Sequence, residues 1–129
     1  MRIPCIVLLL ALLYAGTSCV QSHLAAPDAA LQKITFELAG LDADGLRGPP
    51  DGRRSLSYEF CIPNTPERIA EVGSIDPTVQ FMPASRGRIG CGRTQCLCIG
   101  STHQKGFRHV LERLAALPYI ERIDECFFE

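Results

Sequence analysis

The sequence predicts an α+β domain, and three observations carry that prediction. Leu56, Tyr58, Phe60 and Ile62 alternate with Ser57, Glu59 and Cys61, the period-two pattern of a strand with one face buried. Phe107, Val110, Leu111, Leu114 and Leu117 recur at helical spacing ahead of Pro118, which stops the run. Between these two segments, apolar stretches and turn residues alternate in an order that interleaves strands with helices.

Taken in order, Met1 to Ser18 reads as a leader. Arg2 is its early charge, and Ile6 to Ala15 is an apolar run of ten residues. A bilayer span needs about 20 residues, so this length fits the apolar region of a signal peptide. Gly16, Thr17 and Ser18 supply the small residues of a cleavage site, and Cys19 follows them as a lipidation candidate. Residues 19–31 carry small, polar and proline residues without periodicity and read as a tether, leaving 32–129 as a single folded domain.

Within that domain, Lys33 to Ala39 alternates Ile34, Phe36 and Leu38 with polar residues and is expected as an extra N-terminal edge strand. Gly40 to Arg54 is rich in glycine, proline and aspartate, with a turn at Pro49 to Gly52. After the strand from Leu56, Thr65-Pro66-Glu67 has the order of an N-cap, a first-turn proline and an acid facing the helix dipole. Ile69, Val72 and Ile75 give that helix its apolar stripe, and Asp76-Pro77 ends it. Val79 to Met82 and Thr94 to Ile99 are strands joined by the turn-like Ala84 to Gly92, with Leu97 and Ile99 expected to face inward. Ser101 or Thr102 is expected to cap the strong helix, and Tyr119 to Phe128 closes the domain as a strand.

From Leu56 onward the order is β-α-β-β-α-β. Two right-handed crossovers joined by a hairpin generate a ferredoxin-like antiparallel sheet with both helices on one face. Phe60 to Thr65 and Leu97 to Thr102 echo each other, each ending a strand and entering a helix, where a pseudo-twofold would place equivalent residues.

Three strings, Tyr58 to Pro63, Ser85 to Cys91 and Leu97 to Gln104, resemble a family of small bacterial proteins of unknown function over about residues 34–129. That resemblance implies no catalytic residues and no activity.

The chain has 129 residues, a formal charge of −1 and seven cysteines, with 47% hydrophobic residues. The balanced charge argues against a dedicated nucleic-acid binder, and the apolar content against a disordered or collagen-like chain. Apart from Cys5 and Cys19, the domain holds Cys61, Cys91, Cys96, Cys98 and Cys126. Parity with Leu97 and Ile99 inward places Cys61, Cys96 and Cys98 on the sheet face away from the helices. First and third strands of such a sheet are antiparallel neighbours, so Cys61–Cys91 is the first choice of disulfide and Cys61–Cys96 the second. An alternative reading uses Cys91, Cys96 and Cys98 with His103 as metal ligands, although structural zinc sites favour pairs on turns. Arg86 and Arg88, interleaved with glycines beside Arg93, are candidates for gripping a phosphate or carboxylate. Asp42-x-Asp44-Gly45 is a fragment of a calcium loop without its remaining ligands, and His109 falls on the polar side of its helix.

The expected function is that of an exported, non-enzymatic binding module: periplasmic, secreted, or attached to a membrane through Cys19. It has no expected cofactor, and its partner is a protein or small ligand. The alternative is a small thiol or metal protein built on Cys91, Cys96 and Cys98.

Overall fold

The computed structural model describes residues 27–128, so the leader and Cys19 lie outside the described residues. Within them the chain is mixed α and β, with three helices and two antiparallel sheets. Helix α1 spans Pro27–Leu31, at the end of the segment read as a tether, and buries Ala30. A small hairpin of β1 (Leu46–Arg47) and β2 (Arg54–Ser55) follows, turning at Pro49, whose carbonyl accepts from the Gly52 amide at 2.9 Å.

The main sheet then begins with β3, Ser57–Pro63. Helix α2, Pro66–Ile75, starts where the sequence places it: Thr65 is extended, its hydroxyl accepts from the Arg68 amide at 3.4 Å, and Pro66 opens the first turn. Strands β4 (Gln80–Met82) and β5 (Gln95–Ser101), helix α3 (Phe107–Ala115) and strand β6 (Asp124–Cys126) complete the order. The strands lie as β4-β5-β3-β6, and every neighbouring pair is antiparallel.

Register decides which side chains meet. Tyr58 lies opposite Gly100, Phe60 opposite Cys98 and Ile62 opposite Cys96. Directly opposed residues share a face of a sheet. These six therefore face the core, where Tyr58, Phe60, Ile62, Cys96 and Cys98 cluster with Val72 and Ile75 of α2 and Phe107, Leu111 and Leu114 of α3. The expected parity of β5 is thus inverted. Cys96 and Cys98 turn toward the helices, while Leu97 and Ile99 lie on the other face with Glu59 and Cys61. Cys96, Leu97 and Cys98 are all buried, so both faces of the strand are covered at this point and alternation carries no signal there.

Three further expectations are corrected. Lys33 to Ala39 forms no strand: Ile34 makes one isolated parallel bridge to Ile123, although Ile34, Phe36 and Leu38 still pack against the core. The adjoining β6 is only three residues long, and the Arg47–Glu125 ion pair reaches that strand from β1. An alternating segment can be half-buried without finding a ladder partner. Tyr119 to Phe128 narrows to Asp124–Cys126, because Ile120 is still turning back onto the Leu117 carbonyl at 3.2 Å. Helix α3 is capped by Gly106 at φ 68°, not by Ser101 or Thr102. The buried Thr102 hydroxyl instead donates to the Gly45 carbonyl at 2.6 Å and accepts from the Leu56 amide at 2.9 Å.

Candidate functional site

The outer face of the sheet is crossed by the connection between β4 and β5, here called the strap. The Cys61–Cys91 disulfide pins it, with Cα atoms 5.5 Å apart. Further along, the Ile89 amide donates to Glu59 Oε1 at 2.7 Å, burying that carboxylate to 3% exposure. Gly87, at φ 63°, approaches so closely that a Cβ there would sit 2.7 Å from Leu97 Cδ1 and 2.9 Å from Glu59 Oε2. Only glycine meets both the left-handed backbone and this contact.

The strap also organises itself. The Arg86 carbonyl accepts from the Gly90 and Cys91 amides at 3.2 and 2.8 Å, and Arg86 Nε donates to the Cys91 carbonyl at 3.1 Å. Arg86 and Arg88 are both exposed. Arg86 braces its own turn. Arg88 lies near Cys126, whose thiol is pushed up by burial and by the charge and hydrogen bonding of Glu59, with Arg88 acting in the opposite direction.

The proposed metal ligands are not brought together. Cys91 is bonded to Cys61 on the outer face, Cys96 and Cys98 point into the core, and His103 is exposed with Nδ1 3.3 Å from the Asp44 carbonyl oxygen. Among the described residues, no group of three or more histidine, cysteine or acidic side chains could hold a metal ion. Burial drives the Cys96 and Cys98 thiols upward, which keeps them protonated at neutral pH. The second-choice disulfide, Cys61–Cys96, is excluded because the two side chains lie on opposite faces of the sheet.

A polar network inside the core has no counterpart among the residues singled out from the sequence. Asp76, 1% exposed, caps the end of α2 and gathers donors from β3 and from two connecting loops. Its carboxylate accepts from the Tyr58 hydroxyl, the Thr78 amide at 2.9 Å, the Thr78 hydroxyl at 2.7 Å and Gln104 Nε2 at 3.0 Å. Gln104 also reaches the Ser101 carbonyl at 2.8 Å, and the Thr78 hydroxyl accepts from the Ser101 amide at 3.0 Å. Burial and the Asp76 charge push the Tyr58 phenol far up, so it remains a donor. Gly100 makes room, since a Cβ there would lie 2.4 Å from Tyr58 Cε2 and 2.6 Å from Asp76 Oδ2. The available signals were Asp76-Pro77-Thr78, an Asx-type turn, and a glycine facing a tyrosine across two strands.

Two clefts open beside these features. One, of about 100 Å³, is lined by Cys61, Ile89, Gln95, Tyr119, Glu121 and Arg122. The other, about 320 Å³, lies where Gln104 meets Asp44, His103 and Lys105. Apolar side chains reach solvent at Met82, Phe127 and Phe128. Among the described residues, no helix is long and apolar enough to cross a membrane. Comparison with protein-family models, with curated proteins and with solved structures finds no match to this chain.

Proposed function

We propose that the chain is an exported, non-enzymatic interaction module that presents the strap arginines to an acidic group on a protein or small ligand. The observation that carries this reading is the brace on that segment. Cys61–Cys91 fixes one end of an arginine-bearing turn, and Arg86 Nε secures the turn to the Cys91 carbonyl, with Arg86 and Arg88 left exposed. A rigid element loses less conformational freedom on binding than a free loop does. Arginine offers five donors in a planar fork, of which Arg86 uses one in this bond.

The scaffold beneath it is read as a ferredoxin-like plait. Support comes from the order β4-β5-β3-β6, the antiparallel pairing throughout, and one helix after β3 and one after β5. Export is supported by the disulfide, which persists in oxidising compartments, and by the apolar leader at 1–18. Cys19 is the proposed point of lipid attachment.

The test of binding is thermal protection of the mature protein by phosphate, citrate and an acidic peptide. Arg86→Ala with Arg88→Ala is expected to abolish it, and protection that persists places recognition elsewhere. Fusing residues 1–31 to a reporter active only outside the cytoplasm tests export, and radiolabelled palmitate tests Cys19. An inactive fusion would overturn the exported reading.

A further inference from the structure

The strap is poorly equipped to hold itself down. From Pro83 to Gly92 its larger apolar side chains are Pro83, Ile89 and Cys91, while Gly87 and Gly90 both take positive φ. Ordering a glycine-rich segment costs more conformational entropy than ordering most others. Against that cost stand the Gly87 contact with Leu97, the Ile89 amide on Glu59, Arg88 beside Cys126, a 3.4 Å bond from Arg122 to the Ile89 carbonyl, and the disulfide. Of these ties, one is covalent. Beneath the strap lie Glu59 and Leu97, 3% and 2% exposed.

The two sulfur-bearing residues differ in access. Cys91 is fully buried, whereas Cys61 is half-buried and lines the 100 Å³ cleft. Among the described residues, the free thiols lie away from Cys61. Cys96 and Cys98 face the core on the other side of the sheet, and Cys126 lies opposite Ser57, four residues or roughly 13 Å along β3 from Cys61.

We propose that Cys61–Cys91 is a redox latch, opened by an external dithiol entering the cleft, and that its opening releases the strap and uncovers Glu59 and Leu97. A thiolate of the dithiol attacks Cys61 Sγ and forms a mixed disulfide. The Cys61–Cys91 bond breaks, and Cys91 leaves as a thiolate that takes up a proton. The second thiolate of the dithiol then attacks its own partner sulfur, closes the reductant's disulfide and releases Cys61, which is protonated in turn. Two electrons pass from the dithiol to the protein. The latch does not require that the arginines bind an anion.

The experiment uses oxidised full-length protein without denaturant, treated with dithiothreitol and then with iodoacetamide. Peptide mapping and amide hydrogen exchange are read on the same sample. Cys61 and Cys91 are expected to alkylate together while Cys96 and Cys98 stay unmodified. Exchange across 86–91 should accelerate at least tenfold, with 58–62 and 96–100 unchanged. With glutathione, a monothiol, the trapped adduct is expected on Cys61. The proposal is overturned if the bond yields only when Cys96 and Cys98 also alkylate, which would signal global unfolding. It is equally overturned if the reduced strap keeps its protection, or if the adduct forms on Cys91.

Discussion

Replacing Tyr58 with phenylalanine tests whether the buried network carries stability, and its pH dependence identifies the group responsible. The ring of Tyr58 is fully buried and is retained in Tyr58→Phe, so packing changes little. The substitution removes the hydroxyl donor to Asp76 and the acceptor for Gln104 Nε2 at 3.2 Å. Asp76 keeps its Thr78 and Gln104 donors, and the net loss is that of one hydrogen bond to a charged group, about 2 kcal/mol. For a domain of this size that corresponds to a fall in Tm of roughly 8–16 °C. The Tyr58 phenol is held above its ordinary 10 by burial first and by Asp76 second. Stability from a raised group is fully present below the unfolded value and is lost as pH climbs above it, because the unfolded chain ionises first. One group contributes at most about 1.4 kcal/mol per pH unit. Unfolding free energies of both proteins, measured with their disulfide intact from pH 7 to 11.5, should therefore differ by about 2 kcal/mol at pH 7. The gap should shrink above pH 10 and close at about pH 11.5. Cys96, Cys98 and Cys126 titrate in both proteins and cancel in the difference. A gap below about 0.5 kcal/mol at pH 7 would refute the reasoning, as would a gap that stays constant through the alkaline range.

Three other variants probe further contacts of the fold. Gly100→Ala drives a methyl into Tyr58 and Asp76 and should cost about 1–3 kcal/mol by urea unfolding, with near-UV circular dichroism reporting a displaced tyrosine. Cys61→Ala with Cys91→Ala opens a crosslink between residues 30 apart; the chain-entropy relation gives a loss of about 4 kcal/mol, checked by guanidinium unfolding against the oxidised wild type. Thr102→Val leaves the Leu56 amide without its side-chain acceptor and should cost about 1–3 kcal/mol, with faster hydrogen exchange at Leu56 than in the wild type.

What could be read in advance follows from how local each determinant is. The start of α2 needs only Thr65, Pro66 and the dipole, and it forms where those residues lie. The apolar stripe of α3 is equally local, and Phe107, Leu111 and Leu114 are buried as the spacing requires. Cys61–Cys91 needed the additional premise that β3 and β5 are antiparallel neighbours, and that pairing is present. The cap of α3 was misplaced because Thr102 is used at longer range, between Gly45 and Leu56. The Asp76 network joins residues 76, 78, 58 and 104, and no pattern within one element records that meeting.

The inverted parity of β5 has the widest consequence, since the metal and thiol alternative needs Cys96 and Cys98 beside Cys91. Assigning faces by alternation assumes that one face is wet. In β5 the strap dries the outer face, so a leucine can sit there as readily as a cysteine can sit in the core. The strap is held there by Cys61, which lies on the same outer face as Leu97, its register partner. The Cys61–Cys91 bond and the register of Cys61 with Leu97 together place the covering segment over Leu97. Once that face is covered, the bulky Leu97 has a buried place outside the core, and the small thiols Cys96 and Cys98 fit against the helices opposite Ile62 and Phe60. The bond that closes the strap and the burial of the two free thiols are two results of one arrangement. A chemistry that needs Cys91 and Cys96 on the same ion would have to undo both.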